Sequence, residues 1–185
     1  MTEQQEYRVL ESVDGVELRE YAPCVVADVV VEGSMEQAGT SAFRPLVSYI
    51  SGANTTSSSL AMTAPVLQQS TGESLAMTAP VLQQAAGDRW TVSFVLPAGR
   101  PLEGYPVPTD PRVTLRALPG ETAAAIRWSG RWTERNVADR TQELRRVMGE
   151  QGWEPTGDPR WARFDPPWKP PFARRNEVVI PVSRT

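Results

Sequence analysis

The sequence predicts an α+β fold in which two ββαββ halves share one antiparallel sheet system. Three observations carry this. Apolar runs that are β-branched or alternating recur between Gly and Pro turns. Two stretches carry apolar residues at helical spacing. The order of elements in residues 5–96 recurs in residues 112–183, where Leu18-Arg19 and Gly33 are answered by Leu115-Arg116 and Gly130 at a constant offset of 97. Residues 97–111, rich in proline and glycine, read as the linker, and the whole chain (1–185) reads as one domain.

Tyr7–Leu10 and Val16–Tyr21 are predicted strands around the turn residues Asp14-Gly15. Val25–Val31 is a continuous β-branched run between Ala22-Pro23 and Gly33, which suits a buried strand. Ser34 with Gln37 fits a capping box and opens a helix. Met35, Ala38, Ala42, Phe43, Leu46, Val47 and Ile50 form its apolar face, and Ser51-Gly52-Ala53-Asn54 ends it. Trp90–Leu96 alternates as a strand. In the second half Val113–Leu118 and Thr122–Trp128 flank the turn Pro119-Gly120. Thr133 is the expected N-cap of a helix reaching about Glu150, with Val137, Thr141, Leu144, Val147 and Met148 on its apolar face and Gly152 as C-cap. Arg160–Phe164 and Glu177–Val182 are the last strands.

The segment SLAMTAPVLQQ occurs twice, at Ser59–Gln69 and Ser74–Gln84, separated by Ser70-Thr71-Gly72-Glu73. Leu60, Met62, Ala64 and Val66 alternate with Ala61, Thr63, Pro65 and Leu67, which is strand patterning. Two such strands around a turn containing Gly72 predict an extra hairpin grown from one strand of the sheet. Pro65 and Pro80 cannot donate to a ladder, so each belongs at an edge or a bulge. So apolar an edge hairpin needs cover, which makes it a candidate surface for a homo-oligomer.

Hydrophobic content of 40% and charged content of 22% are ordinary for a globular chain with a sizeable core. A net charge of −3 argues against nucleic acid and anionic membranes as partners. The polar N-terminus does not read as a secretory signal, and no run of apolar residues is long enough for a transmembrane helix. Cys24 is the only cysteine, so no internal disulfide forms, and a cytoplasmic, reducing location is expected. Histidine is absent, which removes the commonest general base and the usual zinc and haem ligand. No paired-carboxylate motif, phosphate-binding glycine loop or metal-spaced cluster stands out, so no catalytic residue is assigned.

An ordered set of stretches is recognisable. It comprises Tyr7-Arg8-Val9, Val16–Tyr21, Phe43–Ile50, Gly52-Ala53-Asn54, Met62-Thr63-Ala64-Pro65-Val66, Asp165-Pro166-Pro167-Trp168-Lys169-Pro170-Pro171-Phe172 and Arg174-Arg175-Asn176-Glu177-Val178. This set resembles the SOUL haem-binding protein family from about Tyr7 to Val182. The resemblance implies a distorted antiparallel β-barrel of two pseudo-symmetric halves flanked by two helices. It also implies binding of haem or a related tetrapyrrole over an apolar surface near the first helix and the loop before the last strand. A similar fold is expected in gyrase-inhibitor-like effector-binding domains, which take diverse small molecules.

On that expectation Phe43, Leu46, Val47 and Ile50, with Trp168 and Phe172, form the apolar wall. Lys169, Arg174 and Arg175 are the candidates for the propionates, with Arg44 a further one. The alternative is that Arg174-Arg175 neutralises Glu177 and Asp165 and fixes the loop. Without histidine, iron ligation falls to methionine, tyrosinate or cysteinate: Met35, Met62, Met77, Tyr49 or Cys24. Binding through apolar and propionate contacts alone is the other option. Competing functions are a non-haem small-molecule sensor or carrier, an interaction module using Pro166–Phe172, and an enzyme. For the sensor, an inward carboxylate among Glu17, Glu20, Asp28 and Glu32 would favour a cationic ligand. For the enzyme, haem-linked chemistry is the leading form.

Overall fold

A computed structural model describes residues 3–55, 72–165 and 168–184. Strands β1 (Glu3–Gln4), β2 (Tyr7–Val13), β3 (Val16–Tyr21) and β4 (Cys24–Val31) precede helix α1 (Met35–Ile50). Next come β5 (Asn54–Thr55), β6 (Thr78–Ala79), β7 (Val81–Ala86), β8 (Arg89–Val95) and β9 (Val107–Pro108). Strands β10 (Thr114–Leu118) and β11 (Glu121–Trp128) lead into α2 (Glu134–Gln151), and β12 (Trp153–Pro155), β13 (Arg160–Arg163) and β14 (Asn176–Arg184) complete the chain.

One antiparallel sheet runs in the order β10-β4-β8-β7-β13-β14-β11-β3-β2, with β12 also paired to β14. The order is palindromic. Matching β3 to β10, β4 to β11, β7 to β13 and β8 to β14 maps the path from β10 to β3 onto itself reversed, centred on the β7–β13 ladder. Each half lends its first strand to the other: β10 pairs with β4, and β3 with β11. Neither half therefore has a complete sheet without the other.

The caps form as their residue types demand. Ser34 Oγ accepts from the Gln37 N–H at 3.3 Å and Thr133 Oγ1 from the Asn136 N–H at 3.2 Å. Gly152 closes α2 with φ of 68°, the left-handed conformation a side chain would disfavour. Alternation along the strands then fills two cores. Val16, Leu18, Ile126, Val178 and Ile180 meet Val137, Leu144 and Val147 of α2. Val25, Ala27, Val29, Val92 and Phe94 meet Ala38, Ala42, Leu46 and Ile50 of α1.

The alternate strand positions face away from both helices, yet Val26, Arg19 and Glu177 there are 0%, 2% and 1% exposed. A flat sheet would leave that face in water, so its burial requires the sheet to curl. Among the described residues no ladder joins β10 to β2, and the distorted barrel stays open. No described helix is long and apolar enough to cross a membrane.

Two expectations need correction. Residues 97–111 are not a bare linker: they hold a 3-10 turn at Leu102–Gly104 and strand β9, which pairs with β5. Tyr105 is buried in the α1 core, and its hydroxyl donates to the Pro97 carbonyl. The second copy of the repeat is not an edge strand over Val81–Gln84 either. The first copy, Ser59–Gln69, lies outside the described residues, but both edges of β7 are taken, by β8 and β13. The second copy thus supplies a central strand. Pro80 lies between β6 and β7, outside both ladders, where its missing N–H leaves no ladder bond unmade.

Candidate functional site

The apolar face of α1 splits in two. Leu46 and Ile50 are buried in the α1 core, and Val47 packs against its margin. Phe43 is 46% exposed and meets Phe94 edge-on with ring centroids 6.0 Å apart. Of the helix's part of the predicted wall, the Phe43 side is therefore the one open to a ligand. Arg44 is exposed beside it.

The loop before β14 is built around Asp165. Its Oδ1 accepts from Lys169 Nζ and its Oδ2 from the Arg175 backbone N–H, both at 2.5 Å. Burial would raise this carboxyl, but the bonds from Lys169 and Arg175 outweigh it and hold the group below the ordinary carboxylate range. Arg174 Nε donates to the Lys169 carbonyl at 2.7 Å, and the Gly130 N–H donates to the Pro171 carbonyl at 2.9 Å. Arg175 bonds Glu177 at 2.9 Å and lies 3.9 Å over the Phe164 ring. Lys169 and Arg175 thus have structural work within the loop. The loop raises Trp168 and Phe172 into solvent, 83% and 81% exposed.

Three residues not foreseen from the sequence connect the helix to the loop. Arg163, at the end of β13, is half-buried, lies 5.2 Å over the Trp132 ring and comes against Gly39 of α1. Trp132 stacks on Trp128, with centroids 6.0 Å apart and planes 12° off parallel. Beyond Trp128 opens a depression of about 590 Å³, lined among others by Arg127, Arg140, Phe172 and Arg174. The surface therefore runs from Phe43 past Arg163 and Trp132 to Phe172. Two signals in the sequence could have marked it. Gly39 interrupts a helical pattern, which implies a packing reason. Arg163 shares its strand face with Trp161, so a cation stands where alternation expects core.

The candidate iron ligands fare unequally. Met35 is buried, and the first copy's Met62 lies outside the described residues. Tyr49 donates its hydroxyl to the Pro106 carbonyl at 2.9 Å, and burial pushes its phenol up to about 12. Burial likewise pushes the Cys24 thiol up to about 11, so it stays protonated near neutrality. Met77 is 50% exposed, on a segment whose Leu75 and Val81 pack against the α1 core. Among the described residues no group of three His, Cys, Asp or Glu side chains could hold a metal ion.

On the helix-free face the charges are internally paired. Glu177 takes two bonds from Arg19, at 2.7 and 3.2 Å, and one from Arg175. Glu17 also bonds Arg19, Asp28 bonds Arg116 at 2.7 Å, and Glu20 bonds Arg8 at the surface. Glu32 is exposed. None of these carboxylates brings an uncompensated charge to the interior.

The chain matches the profile of the SOUL heme-binding protein family over residues 2–181 and belongs to that family. No curated protein matches it significantly. Among solved structures it is similar to the C-terminal domain of EcmrR, with a TM-score of 0.63 and 15% identity, covering 97% of this chain and 99% of that one. It is also similar to a hydrolase from Listeria innocua, with a TM-score of 0.56, 15% identity and 94% of each chain covered. At such identities these likenesses show the fold alone.

Proposed function

We propose that this SOUL-family chain binds haem or a related tetrapyrrole on its helix-bearing face, between the Phe43 edge of α1 and the Trp168–Arg174 loop. It does so without histidine ligation, as a carrier, buffer or sensor. One observation carries the reading. Phe43, Trp168 and Phe172 are the exposed aromatic side chains among the described residues, and Gly39, Arg163 and Trp132 link the helix that carries Phe43 toward the loop that carries the other two. Large aromatics left in water without a partner are costly, and a flat apolar macrocycle is the kind of ligand that covers them.

The magnitude is modest. Covering two such rings completely, at about 25 cal/mol per Å² over roughly 150–250 Å² each, would contribute about 8–12 kcal/mol. Association itself costs an estimated 4–15 kcal/mol, so propionate contacts are needed as well, and low-micromolar affinity is expected. When bound, haem would bring its iron to this surface. With Met77 the accessible described candidate for ligation, metal-free protoporphyrin should bind about as well as haemin. A cationic effector on the helix-free face is less well supported, because Glu177 is already neutralised by Arg19 and Arg175. The lone Cys24 and the net charge of −3 fit a cytoplasmic protein without a nucleic-acid partner.

Titration of haemin and protoporphyrin IX, followed by Soret absorbance and tryptophan quenching, tests the reading. Saturable binding of both, weakened in Trp168→Ala, is expected. No saturable change with either ligand through the micromolar range would refute it.

A further inference from the structure

Arg163 is a cation without an anion. Among the described residues it has neither a carboxylate within salt-bridge distance nor a hydrogen-bond acceptor, although it is half-buried. Burial, and the like charge of Arg174, pull its pKa below the usual arginine value. Gln83 Oε1 also lies near Gly39 but is not hydrogen-bonded to Arg163. The indole Nε1–H groups of Trp128 and Trp132 are buried with no acceptor among the described residues. A buried charge left unpaired is costly, and native structures keep such groups where something else supplies the partner.

The helix makes room for this guanidinium. A Cβ added at Gly39 would come within 2.8 Å of Arg163 Nη1. Glycine inside a helix is less favourable than alanine by about 1 kcal/mol. The chain thus accepts a weaker helix at the point where Arg163 needs the space.

We propose that Arg163, held between Gly39 and the Trp132 ring with Arg174 beside it, is an anion subsite that takes a carboxylate of the ligand. The inference rests on the tetrapyrrole reading above and deepens it: the preferred ligands are carboxylate-bearing macrocycles. Arg163, rather than Lys169 or Arg175, is the principal anchor, because those two are engaged by Asp165 and Glu177. A guanidinium can offer a carboxylate two parallel charge-assisted bonds.

The test titrates protoporphyrin IX, with two carboxylates, and its dimethyl ester, with none, into wild type, Arg163→Met and Gly39→Ala. Thermal unfolding of each ligand-free protein runs alongside. Wild type should prefer the diacid by about tenfold or more. Arg163→Met should abolish that preference and leave ester affinity unchanged. Without ligand it should unfold no lower than wild type, since it removes an unpaired charge. Gly39→Ala should weaken diacid binding alone while preserving the fold. Equal binding of diacid and ester by wild type, or wild-type diacid affinity in Arg163→Met, overturns the inference and leaves the tetrapyrrole reading standing. A marked loss of thermal stability in Arg163→Met overturns it too, by showing a structural cation. Failure of both porphyrins to bind wild type removes the tetrapyrrole reading and this inference with it.

Discussion

Replacing Glu177 by glutamine should destabilise the fold by about 3 kcal/mol, although the residue lies away from both helices. Glu177 is 1% exposed and Arg19 2%. The carboxylate receives three bonds from two guanidinium groups, Nη1 and Nη2 of Arg19 and Nε of Arg175. Arg19 also donates to the Tyr21 hydroxyl at 2.9 Å and lies 4.2 Å over the Tyr7 ring. Burial pushes the Tyr21 phenol up to about 12, so at neutral pH it offers Arg19 no charge. Breaking one side of a buried pair typically costs about 3–5 kcal/mol, because the other charge remains. Glutamine keeps the shape and one acceptor, and Glu17 stays on Arg19, so the lower end applies. In a chain of this size that corresponds to a fall of about 6–12 °C in Tm. Urea unfolding followed by tryptophan fluorescence and circular dichroism measures it. The double variant Arg19→Met/Glu177→Met should recover much of the loss, since it leaves Arg175 as the one affected cation. A Glu177→Gln stability within about 0.5 kcal/mol of wild type, or strictly additive losses in the cycle, would refute the reasoning.

Further outcomes follow from other groups. Asp165 titrates below its ordinary value, so its hold on the loop is complete above about pH 4 and is lost as pH falls through the depressed folded value. An acid transition in tryptophan emission should appear there and be missing in Asp165→Asn. Because burial raises the Cys24 thiol to about 11, its alkylation at pH 8 should be far slower than that of a free thiol and should accelerate towards pH 11. A rate equal to free cysteine at pH 8 would contradict this. Tyr49→Phe leaves the buried Pro106 carbonyl without its donor and should cost about 1–2 kcal/mol by urea unfolding. Excising Ser59–Glu73 removes one period of the repeat. Glu73 is hydrogen-bonded to Asn54 at 2.8 Å, so Asn54 and Ser74 lie close together, a short connection can join them, and the remaining copy can still supply β7. The variant should fold with an unchanged circular dichroism spectrum, and an unfolded product would show the extra copy to be integral.

Much of the local structure was legible in the chain because local chemistry dictates it. Ser34 and Thr133 cap the helices they were expected to cap, and the β-branched run at Val25–Val31 forms a buried strand. Those outcomes depend on residues within a few positions of one another. The site was legible only in part. Trp168, Phe172 and Phe43 are exposed, but Leu46 and Ile50 share a helical period with Phe43 while facing the core. Periodicity names a face without saying where its margin falls. β12 (Trp153–Pro155) was missed because three residues make too short a pattern to stand out.

By itself the sequence determined the element types, their doubled order, the family motifs and the exclusion of histidine chemistry. These are properties of composition and short-range spacing. Tertiary structure alone decided that β7 lies at the centre of the sheet, that the halves exchange their first strands, and that Glu177 is spoken for while Arg163 is not. Each of those facts depends on which partner a long-range ladder brings within a few ångströms. The Arg19–Glu177 bond spans 158 positions of the chain, a separation over which no local pattern survives.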